Sequence, residues 1–279
     1  MNALTMSQIK SHRTPPGSIT LWWLGQAGFI IKSPAGKVAV LDPYLTNSCK
    51  AIGEQHGFDF DRRFPPPLPA RELAGADLYV LTHSHQDHLD PETLAAYREH
   101  GGHGPYLAPA ETVEKLQALG VPAAEISMIW PNKSVTVGDL TVRATFAIPL
   151  GGDDLTHVGY LFSVKDGPTV YCTGDTGYHD LLGDAVAPHK PDVLAVVING
   201  AFRNLSPAEA AQLARRIDAR VVIPCHHDLF PDNSLPPELL RTNLKLQGMG
   251  DRYRLVERGV AFDRSEEHTS ELQSLAYLV

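Results

Sequence analysis

Four side chains able to bind metal fall within six residues: His83, His85, Asp87 and His88, in the run Thr82-His83-Ser84-His85-Gln86-Asp87-His88 that follows the apolar segment 78–81. Neutral imidazole and carboxylate are the usual ligands of Zn, Mn and Fe, and a loop at the end of a buried strand can aim all four into one small volume. A lone loop histidine is normally a solvated side chain. The pattern H-x-H-x-D-H after a strand points instead to a metal centre.

Further positions share that placement. Asp175 lies in Cys172-Thr173-Gly174-Asp175-Thr176-Gly177, His226 and His227 follow Val222-Ile223-Pro224-Cys225, and Asp42 ends an apolar run before Pro43. Each sits at the C-terminal end of a predicted strand. There is no G-x-S-x-G elbow, and Cys49, Cys172 and Cys225 are scattered without C-x-x-C spacing. Each cysteine therefore reads as a small buried residue, neither a nucleophile nor half of a disulfide.

The elements that must position these groups follow from the patterning. Short β-rich runs at 19–24, 29–32 and 38–41, separated by Gly25-Gln26-Ala27-Gly28 and Pro34-Ala35-Gly36-Lys37, predict a meandering antiparallel sheet. Residues 46–73 lose periodicity and carry Pro65-Pro66-Pro67 and Pro69, reading as a long loop. Helices are predicted at 91–97, behind the N-cap Asp90, and at 110–119, ending at Gly120. A second β-rich block covers 126–146, 159–164 and 169–172, with further strands at 192–198 and 221–223. Ser206-Pro207-Ala208-Glu209 is a capping box opening a helix to about residue 217, and 237–247 forms a last helix.

Two strand-rich halves, each trailed by helices, predict an α/β fold: a four-layer αββα sandwich, two mixed sheets face to face with helices outside. One domain is expected over 18–263, after a flexible N-terminal segment, 1–17. Residues 264–279, His268 among them, read as a non-native or disordered tail, because 264–274 resembles a translated sequencing adapter.

Composition narrows the function. The 279 residues, 43% hydrophobic, support one large core. No apolar run approaches the ~20 residues of a bilayer span, and no secretory h-region is visible. A net charge of −8 without a Lys/Arg cluster speaks against nucleic acid as a partner. The expectation is a cytoplasmic protein acting on a small molecule, off the membrane, with a homo-oligomer left open.

In combination, H-x-H-x-D-H, the strand-terminal Gly174-Asp175-Thr176 and Ile223-Pro224-Cys225-His226 resemble the metallo-β-lactamase fold superfamily, over most of the chain from Asp42 to His226. Leu21-Trp22-Trp23-Leu24-Gly25, Tyr160-Leu161-Phe162 and Val221-Val222-Ile223-Pro224-Cys225-His226-His227-Asp228 are similar to the L-ascorbate-6-phosphate lactonase group within it. The resemblance implies that His83 and His85 hold one ion, that Asp87, His88 and His226 hold a second, and that Asp175 bridges them. Two cations about 3.5–4 Å apart need such an anion, and they lower the pKa of a shared water toward ~7. Asp87, beside that water, is expected to orient it or take its proton. One departure stands out. Many superfamily members supply another histidine after a strand such as 141–146, whereas here the stretch reads Ala147-Ile148-Pro149-Leu150-Gly151-Gly152-Asp153-Asp154. The first site is then expected to be weak, empty, or completed by Asp153, Asp154 or water, and His157 is read as a substrate contact or surface residue rather than a ligand.

Arg203, in the loop 199–204, is a candidate grip for a substrate phosphate or carboxylate. His227 is a candidate proton donor to the leaving group, although neighbours on a strand point to opposite faces. His179 is expected to line the pocket, and Gln26 either faces the metals or satisfies backbone groups. Asp42 reads as an anchor hydrogen-bonding the histidine loop rather than a ligand. Trp22 and Trp23 read as sheet residues on opposite faces. The implied activity is a metal-dependent, lactonase-like hydrolase using a metal-activated water. It would open a lactone, or a related ester or cyclic bond, of a small polar metabolite, phosphorylated or not, with one or two divalent ions, Mn or Zn, or else Fe. The alternatives are a phosphodiesterase of the same superfamily, acting on nucleotides, lipids or RNA, and a non-catalytic metal-binding regulator.

Overall fold

Strand β1 (Ser18–Gly25) is buried along its whole length because both faces are covered: Leu21 and Trp23 enter one core while Trp22 and Leu24 enter the other. Sharing a strand, the two tryptophans thus part to opposite sides, as period-two geometry requires. The computed structural model describes residues 3–148 and 156–265. Strands β2 (Gly28–Lys32) and β3 (Val38–Leu41) continue the antiparallel meander. The sheet then becomes parallel. Each of β4 (Leu78–Val80), β5 (Tyr106–Ala108) and β6 (Ile126–Met128) lies parallel to the strand before it. Parallel neighbours need a crossover, supplied by α2 (Cys49–His56), α3 (Pro91–Glu99) and α4 (Ala110–Ala118). With β13 (Ala261–Ser265) on the far edge, the order is β13-β1-β2-β3-β4-β5-β6.

The second sheet repeats the scheme. Strands β7 (Ser134–Val137), β8 (Leu140–Phe146), β9 (Val158–Val164) and β10 (Thr169–Cys172) are antiparallel. Strands β11 (Val193–Val197) and β12 (Val221–Cys225) then run parallel to β10, through crossovers containing α5 (Asp180–Val186) and α6 (Pro207–Ile217). Pro224 is tolerated in β12 because that strand is the sheet edge.

One apolar cluster fills the space between the sheets, with Phe29, Ile31 and Val80 from the first and Val142, Phe162 and Val170 from the second. It continues to Leu182, Leu213 and Leu240 of α5, α6 and α7 (Glu238–Leu246). A separate cluster joins the outer face of the first sheet, Ile30, Val40 and Tyr79, to Leu94, Tyr97 and Leu116 of α3 and α4. The layers are therefore helices, sheet, sheet, helices, the sandwich expected.

Three boundaries differ from the sequence reading. Residues 1–17 are not simply a flexible lead, because Met6–Ser11 form α1 with a capping box from Thr5 and Gln8 and a fully buried Ile9. Lys32 Nζ donates to the carbonyls of Ile9, Lys10 and His12 at 2.8, 2.7 and 2.5 Å, satisfying the helix's C-terminal acceptors. The stretch 46–73 is not one long loop. It carries α2 and the start of a 3₁₀ turn, Ala70–Gly75, and Arg62 pins the rest by donating to the carbonyls of Tyr44, Thr46 and Phe64. The domain also passes residue 263, since Arg264 and Ser265 belong to β13 and pair with Ile19 and Ser18. The remaining tail, with His268, and the stretch holding Asp153 and Asp154 lie outside the described residues. Among the described residues no helix is long and apolar enough to cross a membrane.

Candidate metal centre

The C-terminal ends of β3, β4, β10 and β12 carry Asp42, the His83–His88 loop, Asp175 and His226, while the β1–β2 turn brings Gln26 and the start of β9 brings His157. The chain bends sharply where it delivers them. Gln26, Asp42 and His226 all take left-handed backbone conformations, with φ of 47°, 41° and 57°. Such geometry costs about 1–3 kcal/mol at a non-glycine residue and gathers at functional sites. Gly174, at φ 59°, has a different task. A Cβ there would lie 2.9 Å from Thr82 Cβ and from the Val158 carbonyl oxygen. Only glycine lets the β10 loop press against the histidine loop and set Asp175 beside it.

The side chains converge in three overlapping sets: His83, His85 and His157; His83, His88 and Asp175; and Asp87, His88 and His226. Within each set the ligand atoms all lie within 4.8 Å of one another. His83 Nε2 and His85 Nδ1 are 2.9 Å apart, and the His83 and His157 ring centroids are separated by 4.0 Å. Asp175 Oδ1 stands 3.3 Å from His88 Nε2 and 3.5 Å from His226 Nε2, while Asp87 Oδ2 is 3.2 Å from His226 Nε2. His83 and His88 belong to two sets each, so the cluster is continuous, with Asp175 in the middle set as a bridge requires.

Whether this cluster suits a cation is tested by its inner atoms. His88 Nε2 and Asp175 Oδ1 are buried and face each other at 3.3 Å without hydrogen-bond geometry, so only a proton on the imidazole or a cation between them can match the pair. Leaving buried polar atoms unmatched costs about 1–3 kcal/mol each, so their convergence calls for a partner. Imidazoles with carboxylates form the donor set that first-row divalent ions take. The residues fit.

Outward hydrogen bonds fix the rings. Asp42 is fully buried and accepts from Thr82 N at 2.8 Å, Thr82 Oγ1 at 2.5 Å and His88 Nδ1 at 2.8 Å. Bonding Nδ1 to a carboxylate leaves His88 Nε2 as the ligating atom. With its hydroxyl hydrogen given to Asp42, Thr82 Oγ1 accepts from His83 Nδ1 at 3.0 Å, which likewise turns His83 Nε2 inward. Asn204 Nδ2 donates to Asp175 Oδ2 at 2.7 Å while its Oδ1 accepts from Thr176 N at 2.9 Å. Gln26 Nε2 donates to Asp87 Oδ2 at 2.9 Å and lies 3.3 Å from His226 Nε2.

Charge in the site is divided. Burial holds His83 well below the ordinary imidazole range, and burial also lowers His85, so both present neutral rings. For His88 burial acts in the same direction, but Asp175, Asp87 and Asp42 outweigh it and raise the group well above its usual value. His226 is raised similarly, Asp175 and Asp87 overcoming its burial. Burial works against ionising Asp87 and Asp175, yet the imidazoles of His88 and His226 prevail and hold both carboxyls below the usual range. Without a metal, protonated His88 and His226 balance the two carboxylates; a cation would take over that task.

All six predicted ligands, His83, His85, Asp87, His88, Asp175 and His226, fall in this cluster. Asp42 is the anchor expected, and Gln26 faces the cluster rather than backbone alone. Other residues differ. His157 joins His83 and His85 as a third imidazole instead of acting as a peripheral contact, because Gly159 packs β9 closely against Thr145 and the Thr173 carbonyl and draws the strand's start inward. His179 is exposed and caps α5, accepting from Leu181 N, so it does not line the cluster. Arg203 is exposed at φ 67°, on the loop that delivers Asn204. His227 belongs to none of the three sets and stacks on Trp23 instead, ring centroids 4.6 Å apart, past the left-handed bend at His226. Asn204 escaped sequence reading because a single polar residue before a capped helix has no distinguishing pattern. His157 had a usable signal, an imidazole opening a strand just after the missing histidine.

The pattern of the beta-lactamase superfamily domain matches residues 40–227. A metal-dependent hydrolase of Myxococcus xanthus is 30% identical over 240 residues, covering 82% of this chain and 77% of that protein. A probable L-ascorbate-6-phosphate lactonase of Shigella boydii is 25% identical over 281 residues, covering 86% of this chain and 78% of its own. Among solved structures, a metallo hydrolase of Ignicoccus hospitalis shares the fold at a TM-score of 0.69 and 21% identity, over 90% of this chain and 100% of that one.

Proposed function

The chain belongs to the beta-lactamase superfamily and is a metal-dependent hydrolase of it, and from that premise we propose that it opens a lactone, or a related ester or cyclic bond, in a small polar metabolite. The observation that carries this reading is the continuous cluster of His83, His85, Asp87, His88, Asp175 and His226 with His157, in a chain related across most of its length to a probable lactonase. The cysteines do not compete for the nucleophile's role. The three cysteines are buried, and burial pushes each thiol up, away from the reactive thiolate.

His83, His85 and His157 would hold one divalent cation, and Asp87, His88 and His226 a second, with Asp175 between them. When bound, such ions supply Lewis acidity, polarising the scissile carbonyl and acidifying the attacking water. The residues do the rest. Asp87, steadied by Gln26, orients the water and accepts its proton, then returns it to the departing alkoxide. Asn204 keeps Asp175 Oδ1 turned inward by occupying Oδ2. Asp42, directly on His88 Nδ1 and through the Thr82 hydroxyl on His83 Nδ1, leaves both ring Nε2 atoms facing the cluster. Arg203 remains a candidate contact for an anionic substrate group, within reach of solvent.

A panel of sugar lactones, acyl-homoserine lactones and phosphodiesters, assayed with Mn-, Zn- and Fe-reconstituted protein, tests the reading. Turnover of lactones with release of hydroxy acid is expected. Turnover of phosphodiesters alone would replace it with the phosphodiesterase reading.

A further inference from the structure

Helix α4 bonds to both chain segments that carry the imidazole set His83, His85 and His157, although it supplies no member of any ligand set. In its first turn Glu111 Oε2 accepts from Thr156 N at 3.2 Å and from Thr156 Oγ1 at 3.0 Å. Glu111 N donates back to Thr156 Oγ1 at 3.4 Å. Thr156 directly precedes His157. One turn further along, Lys115 Nζ donates to the carbonyl of Ser84, the residue between His83 and His85. Glu111 and Lys115 are four apart and so share a helix face.

Such a support answers a need of this site. His83 and His85 follow β4 of the first sheet, whereas His157 opens β9 of the second, so the three rings meet only if the two sheets are held in place here. Val158 N donates to the Thr82 carbonyl at 3.1 Å, and His157 Nδ1 lies 3.3 Å from the Asp175 carbonyl oxygen, an arrangement that leaves Nε2 as the ligating atom. Neither bond reaches the His85 side of the loop. Helix α4 does, through Ser84, and it is itself fixed by the fully buried Leu116 in the outer core.

We infer that Glu111 and Lys115 are positioning residues for the ion held by His83, His85 and His157: from one helix face they set His157 against the other two rings and so decide how tightly that site fills. The inference rests on the two-ion reading above and does not depend on which bond the enzyme cleaves.

Titration of the full-length, metal-stripped protein with Mn alone, against a chromophoric chelator, tests it without any substrate. His157→Ala and His226→Ala identify which of the two dissociation constants belongs to which site. Glu111→Ala and Lys115→Met should each weaken the His157 site by about tenfold or more, the usual loss when a group that orients a ligand is removed, and leave the His226 site within about twofold. Charge separates positioning from a field effect. Glu111→Ala removes a negative charge and Lys115→Met a positive one, so a field alone would shift cation affinity in opposite directions. Thr156→Val breaks the Glu111 contact with every charge in place and should weaken the same site, whereas Thr156→Ser keeps both donors and should match the unaltered protein. Circular dichroism checks folding, and the Thr156 pair decides the matter if either helix variant does not fold. Opposite shifts, no shift, or equal losses at both sites would overturn the inference alone. A His157 site that takes no Mn in the unaltered protein would defeat the two-ion reading and the inference together.

Discussion

Replacing Asp42 by asparagine isolates the anchor from the ligands. The carboxylate is fully buried and accepts three hydrogen bonds, from Thr82 N, Thr82 Oγ1 and His88 Nδ1. Asparagine keeps the shape but offers one acceptor oxygen and one amide NH2, a donor. At least one of the three buried donors must then face another donor. An unmatched buried donor costs about 1–3 kcal/mol. For a domain of this size each kcal/mol lowers Tm by about 2–4 °C, so a fall of roughly 2–12 °C is expected by thermal melting. The metal should suffer separately. His88 loses the negative partner that fixes its tautomer, and changes of this kind weaken metal affinity by ~10–100-fold. Competition with a chromophoric chelator measures that Kd directly. A lower Tm with unchanged metal affinity would show that Asp42 supports the loop and nothing more. If neither quantity moves, the hydrogen-bond reasoning is wrong.

Asn204→Ala should lower kcat/KM by about tenfold with the fold retained, because Asp175 Oδ2 loses its donor and the carboxylate is free to turn; unchanged steady-state kinetics would count against a positioning role. Metal uptake by the stripped protein near neutral pH should release protons. His88 and His226 are raised above the usual imidazole range and must lose a proton to become ligands, so affinity should climb as pH rises. Calorimetry in two buffers of different ionisation enthalpy reads this, and uptake with no net proton release would contradict it.

Much of the site could be read from the chain because its chemistry is local. His83, His85, Asp87 and His88 lie on one loop, and Asp175 and His226 each end a recognisable apolar strand. The layered fold was legible for the same reason: the short β-rich runs of β1 to β3 between their turns and the capping box at Ser206 are local signals. What stayed hidden depends on contacts distant in sequence. Asn204 reaches Asp175 across 29 positions and Gln26 reaches Asp87 across 61. His157 becomes a ligand candidate only once β9 packs beside β10 and β8. Helix α1 is short, and what holds it is Lys32 and the outer core; its one local signal, the capping box of Thr5 and Gln8, is followed by too few residues to form a helix alone. His227 follows the same logic in reverse. Adjacency to His226 suggests shared chemistry, but the backbone turns its ring to Trp23.

The central claim is that side chains from four strand ends cage divalent cations on which hydrolysis depends. Crystals of Mn-, Zn- or Fe-loaded, catalytically active protein, measured at the metal absorption edge, address it directly. Anomalous peaks are predicted between His83, His85 and His157 and between Asp87, His88 and His226, with Asp175 touching both. Active protein with no anomalous peak among these residues, or with its metal bound elsewhere, would contradict the account.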